Sequence, residues 1–245
     1  VTALLEVADV RKSYGDRVVL ADVSLTVQPH DVVCLIGSSG SGKSTLLRCL
    51  NLLEDVDDGV IRFEGREISD PRVDRRAVRG RMGMVFQAYN LFPHLTVLEN
   101  CTLAPRRVHG LSRTAAAARA RELLERFGLA DQAAKHPDRL SGGQQQRAAL
   151  VRALCTSPTL LLLDEITAAL DPELVGEVLT IIRDLASGGM TMVLATHEMA
   201  FARDVATTVC FLDQGRILEA GPPAQIFSAP REARTRQFLQ RVLPG

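Results

Sequence analysis

The chain has 245 residues, 46% of them hydrophobic, enough for one large domain, or one domain with an inserted subdomain, around a real core. Its 29 basic residues balance 29 acidic ones, which excludes a long-range field that would draw it to nucleic acid or to an anionic membrane surface. No apolar run approaches the roughly 20 residues that span a bilayer, and the opening VTALLEVADV carries acids unlike a secretory signal, so a cytosolic globular protein is predicted.

From the N-terminus, LLEVADVRKSYG and RVVLADVSLTV read as antiparallel strands. VVCLIG, Val32 to Gly37, is a continuous β-branched and apolar run ending in a glycine-rich turn, and TLLRCLNLL after it reads as a helix. The connecting residues Gly37, Ser38, Ser39, Gly40, Ser41, Gly42, Lys43, Ser44 and Thr45 fit G-x-x-x-x-G-K-[ST] in the strand–loop–helix setting that the chemistry requires. Glycines let successive backbone N–H groups converge on phosphate oxygens at the positive end of a helix dipole. Lys43 is expected to pair with β- and γ-phosphates and the Ser44 hydroxyl to hold Mg²⁺. Lys43 is informative because the chain otherwise writes arginine: its only other lysines are Lys12 and Lys135.

The basic stretch Arg72 to Arg81 reads as a solvated face, with no nucleic-acid partner. Gln87 follows a strand-like run. From Ala88 to Ser157 strand-like runs are few, and TAAAARARELLERFG is a strong helix with Gly128 at its C-terminal cap. The expected organisation is one domain over 1–245: a nucleotide-binding α/β core with a β subdomain from 1–87 and 158–245, and a helical subdomain over 88–157.

LLLLD (Leu160 to Asp164) and TMVLAT (Thr191 to Thr196) read as strands buried on both faces, hence parallel. Between them lies a helix capped by Asp171, started by Pro172, striped by Val175, Val178, Leu179, Ile182 and Leu185, and ended by Gly188. The strand end delivers Asp164 and Glu165 to the edge where ligands of open parallel sheets collect. Asp164 is expected to secure Mg²⁺ through water and Ser44, and Glu165 to polarise the water that attacks the γ-phosphate. His197 follows the third such strand and can reach the same phosphate. FLDQGRILEAG is a hairpin turning at Asp213 to Gly215. Five widely spaced cysteines, Cys34, Cys49, Cys101, Cys155 and Cys210, never form C-x-x-C and read as reduced core residues.

LSGGQQQR, Leu140 to Arg147, is not explained by a phosphate loop. It resembles the signature sequence of the ABC (ATP-binding cassette) ATPases, and the other motifs of that family match in order over almost the whole chain. Tyr14 resembles the aromatic that stacks on adenine; then come the phosphate loop, Gln87 in MVFQ, the signature, LLLLDE, the turn Ala169–Leu170–Asp171, and His197. The resemblance implies an α/β P-loop core with a mostly parallel sheet, an N-terminal antiparallel β subdomain and an inserted helical subdomain. It implies ATP and Mg²⁺ as cofactors, with Ser44, Gln87 and, through water, Asp164 at the metal, and Glu165, His197 and Gln87 as catalytic groups. It also implies a head-to-tail dimer of two copies, in which Ser141, Gly142, Gly143 and Gln144 bind the partner's ATP and Asp171 lies in the dimer contact.

NLFPHLTVLEN, GMTMVLATHEMAFARDVA and GPPAQIFSAPREARTRQFLQRVL are similar to ATPases of polar amino acid uptake. That likeness implies a peripheral subunit on the cytoplasmic face of the membrane, bound to permease subunits and served by an extracytoplasmic substrate-binding protein. The segment Ala88 to Leu95 then reads as the permease contact, against the alternative that Leu91 and Phe92 pack into the helical subdomain. Ile166 and Ala168 depart from the proline and serine common in relatives without removing a ligand. A soluble ABC ATPase of iron–sulfur assembly does not explain NLFPHLTVLEN, and the relatives in DNA repair carry long coiled coils that this sequence does not show; an importer ATPase for another small solute stays open. The signature and Glu165 argue against a P-loop phosphotransferase.

Overall fold

The computed structural model describes residues 2–243. Contacts divide the chain into one unit made of the residues up to Arg75 together with those from Ala186 on, and a second unit, Arg76–Leu185. The first begins with β1 (Leu5–Tyr14), β2 (Arg17–Val27), β3 (Val32–Ile36), α1 (Lys43–Leu50), β4 (Asp58–Phe63) and β5 (Arg66–Glu67). The second starts at α2 (Arg75–Arg81) and holds β6 (Met82–Val85), α3 (Val97–Arg107), α4 (Arg113–Arg126), α5 (Gly142–Leu154), β7 (Leu160–Asp164) and most of α6 (Pro172–Ser187). The chain then returns to the first unit with β8 (Met192–Ala195), α7 (Met199–Val205), β9 (Thr208–Asp213), β10 (Arg216–Gly221), α8 (Pro223–Ser228) and α9 (Ala233–Val242).

In the first unit β2-β1-β4-β5 form an antiparallel sheet, as the alternation in the N-terminal strands predicts. A second sheet runs β10-β9-β3-β8, with β3 parallel to both β8 and β9 and the β9–β10 hairpin antiparallel at its edge. All five β3 residues are buried, which is why this strand reads as an unbroken apolar run. The hairpin turns on Gln214 and Gly215 at φ 48 and 77, the paired left-handed conformation that matches strand twist. One expected helix is shorter than its apolar run: α1 stops at Leu50, because Leu52 turns left-handed at φ 59 and breaks the helical backbone before Leu53. The C-terminal α9 is fixed to the sheet by Phe238 against Phe211, ring centroids 5.0 Å apart, and by Arg234 on Asp213.

In the second unit β6 and β7 pair in parallel, Met82 opposite Leu160 through Val85 opposite Leu163. Helices dominate the rest. Thr96 and Glu99 close a capping box on α3, and the Ser112 side chain accepts from Ala115 N–H at the start of α4. α4 buries Ala116, Ala120 and Leu124 and ends at Phe127 before Gly128 at φ 66, as expected. α6 begins at Pro172 and buries Val178, Ile182 and Leu185, while Val175 and Leu179 are half-buried. It ends at Ser187; the left-handed residue that turns the chain is Gly189, one place beyond the glycine expected. Cys34, Cys49, Cys101, Cys155 and Cys210 are free and buried.

Candidate functional site

β3 delivers the chain into the loop at Gly37, where any side chain is excluded: a Cβ would stand 2.1 Å from the Leu212 carbonyl oxygen of β9. The loop then turns, Ser41 N–H donating to Ser38 O at 3.2 Å, and Gly42 enters α1 at φ 110 with Val19 O and Leu20 2.9 Å from the place a Cβ would take. Ser38, Ser39 and Gly40 are exposed. The N-terminus of α1 carries no side-chain cap and no acid in its first turn, so the helix's own first turn places no negative charge at the positive end of its dipole. Lys43 is buried and its ammonium donates to the carbonyls of Gly37 and Ser38 at 3.0 and 3.2 Å, folded over the loop it would share with an anion. Ser41 Oγ is buried without a hydrogen-bond partner among the described residues. Exposed amides, a helix N-terminus, an ammonium and an orphaned hydroxyl together fit a phosphate chain.

His197 follows β8, with the Thr196 hydroxyl accepting from Glu198 N–H at 3.0 Å to turn the chain there. It is exposed, and it lines a cavity of about 250 Å³ with Gly37, Ser38 and Ser39. Arg234, Gln237 and Arg241 of α9 line the same cavity. Sequence reasoning did not find them as neighbours of the phosphate loop, because they come from a terminal helix with no motif of its own. Tyr14 closes β1 beside the turn to β2, 46% exposed, with the Lys12 ammonium 5.2 Å from its ring centroid.

In the second unit, Asp164 ends β7 and is buried; Glu165 follows it, half-buried, with φ 45. Left-handed backbone in a residue with a Cβ costs about 1 to 3 kcal/mol and concentrates at functional positions. Two turns succeed it, Ala168 N–H to Glu165 O at 3.0 Å and Leu170 N–H to Thr167 O at 3.1 Å, and lead to Asp171 at the head of α6. Ser141 is the N-cap of α5 and forms a capping box with Gln144: its hydroxyl accepts from Gln144 N–H at 3.3 Å, and Gln144 Oε1 accepts from Ser141 N–H at 3.0 Å. α5 carries no acid in its first turn. Gly143 is pressed against Leu174, whose Cδ1 lies 3.0 Å from the position of a Cβ. Ser141 is exposed at this second helix N-terminus, with one of the first-turn amides already taken by its own hydroxyl.

Gln87 is exposed after β6. Beyond it Asn100, buried in α3, fastens the loop: it accepts from Phe92 N–H at 2.8 Å and donates to the carbonyls of Phe92, Leu95 and Thr96 at 3.0 to 3.1 Å. Phe92 stays 43% exposed at the rim of a cavity of about 590 Å³ that Arg76, Arg79, Phe86 and Val108 also line. For Mg²⁺ each unit offers its own hard oxygen of the kind this ion takes, the Ser44 hydroxyl in the first and the buried Asp164 carboxylate in the second.

The family model of the ABC transporter matches residues 20–168. The glutamine transport ATP-binding protein GlnQ of Geobacillus stearothermophilus is 50% identical over 234 residues, covering 96% of this chain and 97% of that one. The arginine transport ATP-binding protein ArtM of Bacillus subtilis is 48% identical over 240 residues, 98% of this chain and 100% of that one. Among solved structures, the chain is similar to the ATP-binding cassette MJ0796 in a dimeric post-hydrolysis state bound to ADP and Pi, with a TM-score of 0.82, 31% identity, and coverage of 89% of this chain and 98% of that one.

Proposed function

The chain belongs to the ABC transporter family, and from that premise we propose that it is the ATP-hydrolysing subunit of an importer of polar amino acids. The observation that carries this reading is end-to-end likeness, near 50% identity over 96% or more of both chains, to subunits named for glutamine and arginine transport. Similar identity to relatives named for two solutes supports a choice of amino acid made outside this subunit.

ATP binds with its phosphates in the loop Gly37–Thr45 and its adenine on Tyr14, and Lys43 exchanges the Gly37 and Ser38 carbonyls for β- and γ-phosphate oxygens. Mg²⁺, held by Ser44, Gln87 and through water by Asp164, would neutralise charge on those oxygens. Glu165 accepts a proton from the attacking water, while Gln87 and His197 orient water and γ-phosphate. Ser141, Gly142, Gly143 and Gln144 present the α5 N-terminus to the nucleotide of a second copy, with Asp171 at the contact, so two head-to-tail chains complete two sites. The span 88–157 serves as the helical signature subdomain and 1–87 with 158–245 as the nucleotide-binding core.

The loop at Phe92 and its cavity receive a permease helix, which holds the subunit to the cytoplasmic face of the membrane; an extracytoplasmic binding protein supplies the solute. Among the described residues no helix is long and apolar enough to cross a membrane. The test is to sequence the neighbouring genes and reconstitute the chain with the permease and binding protein they are expected to encode: ATP-dependent uptake of a polar amino acid is the expected result. A phosphorylated small-molecule product, or ATP turnover indifferent to permease and solute, would overturn the reading.

A further inference from the structure

Tyr89 stands two residues after Gln87 and lies beside two of the segments that the sequence singles out, the turn before Asp171 and the signature. Its hydroxyl donates to the carbonyl of Ala169, 3.2 Å away in the turn before Asp171. A Cβ on Gly142, in the signature, would lie 3.6 Å from the same hydroxyl. Its own carbonyl accepts from the guanidinium of Arg152 on α5 at 3.0 Å, and Arg152 donates also to the carbonyl of Asn90. Tyr89 and Asn90 are both left-handed, at φ 53 and 51. Two adjacent side-chain-bearing residues in that region persist only where surrounding contacts over-determine them. Arg152 supplies such contacts: the planar fork of its guanidinium holds two neighbouring carbonyls at a fixed spacing on one rigid group, a geometry that the rotatable ammonium of lysine does not preset.

We infer that Tyr89 and Arg152 are positioning residues that make the loop after Gln87, the signature end of α5 and the Ala169–Asp171 turn move as one body. A displacement of Gln87 is then delivered to Ser141–Gly143 and to Asp171 through two hydrogen-bonded links, not through diffuse packing. Hydrogen bonds suit this task because they fail steeply with angle and distance, so the linked segments either travel together or part. The inference rests on the ATPase reading above and adds residues that the sequence motifs do not include.

The experiment uses the full chain in a Glu165→Gln background, titrated with ATP and Mg²⁺ while dimer formation is followed by sedimentation, with Tyr89→Phe and Arg152→Lys introduced separately. Tyr89→Phe keeps the ring and removes only the link to Ala169. The ATP concentration for half-dimerisation is expected to rise about 3- to 10-fold, the scale of one neutral hydrogen bond, and at least as far for Arg152→Lys. Affinity of the monomer for a fluorescent ATP analogue is expected to stay at the parent's value. A purely structural role predicts the opposite pattern, a lower melting temperature with dimerisation unmoved well below it, and that result overturns the inference. If the Glu165→Gln parent itself fails to dimerise with ATP, the proposed function falls and takes this inference with it. If the parent dimerises and both variants match its ATP dependence, the inference alone is wrong.

Discussion

The roles proposed for Glu165 and Lys43 differ, one in chemistry and one in binding, and replacing each residue tests them separately. Glu165 holds a left-handed backbone at the end of a buried strand, a placement maintained against a steric cost and suited to a general base. Glu165→Gln preserves shape and removes the basic oxygen, so ATP binding is expected to persist while hydrolysis drops by roughly 10²- to 10⁴-fold; turnover within a few-fold of the parent would remove the residue from that role. Lys43→Ala is expected to act earlier, weakening ATP binding itself, because the ammonium contact is made in the ground state. Equilibrium binding of a fluorescent ATP analogue distinguishes the two. Both residues were legible from type and spacing alone, and so was His197, whose strand-end position brings it beside Gly37–Ser39. Arg152 and Tyr89 were not legible: their roles depend on two left-handed φ angles and on carbonyls, which no side-chain pattern records.

At the scale of elements, what the sequence made plain was what burial dictates. β3 and β7 bury every residue, and unbroken apolar runs announce them. The end of α1 was not plain, since Leu52 and Leu53 continue the apolar composition while the Leu52 backbone does not continue the helix. α3 was harder still, with Pro105 inside it and its cap written in Thr96 and Glu99. That cap carries a pH dependence. Thr96 N–H, then the Thr96 hydroxyl, donate to the Glu99 carboxylate and hold its pKa below the ordinary 4.5. A carboxyl with a depressed folded pKa contributes stability above its unfolded value, and the contribution is lost as pH falls through the folded one. Fraying of the first turn of α3 is therefore expected as pH drops below about 4.5, read as accelerated amide exchange relative to α5, whose box uses the uncharged Gln144. Equal behaviour of the two helices would refute it.

For the whole molecule, the composite site proposed above joins the phosphate loop of one chain to the signature of another, so it requires two chains. Sedimentation of the Glu165→Gln variant is expected to show a dimer with ATP and Mg²⁺ and a monomer with ADP, because only γ-phosphate bridges the α1 and α5 N-termini. Ser141→Arg in the same background, placing bulk in the signature nest, is expected to remain monomeric with ATP; a normal dimer would count against the composite site.

The coupling proposed above turns on the loop that Asn100 holds. A solvated loop has little reason to keep Phe92 in the open at the rim of a large cavity, whereas a surface that takes up a short permease helix does. Asn100 ties the loop through backbone groups, so the Phe92 and Leu95 side chains can change without undoing it. Phe92→Glu or Leu95→Glu is therefore expected to leave the isolated subunit folded and binding ATP, yet to release it from membranes that contain its permease and to abolish uptake. Cysteine cross-links from position 92 to the permease supply the direct measurement in an otherwise unaltered loop. Uptake and membrane association that survive both substitutions would remove the loop from the coupling path while leaving the ATPase reading untouched, since the roles proposed for Lys43 and Glu165 concern phosphate and not this surface.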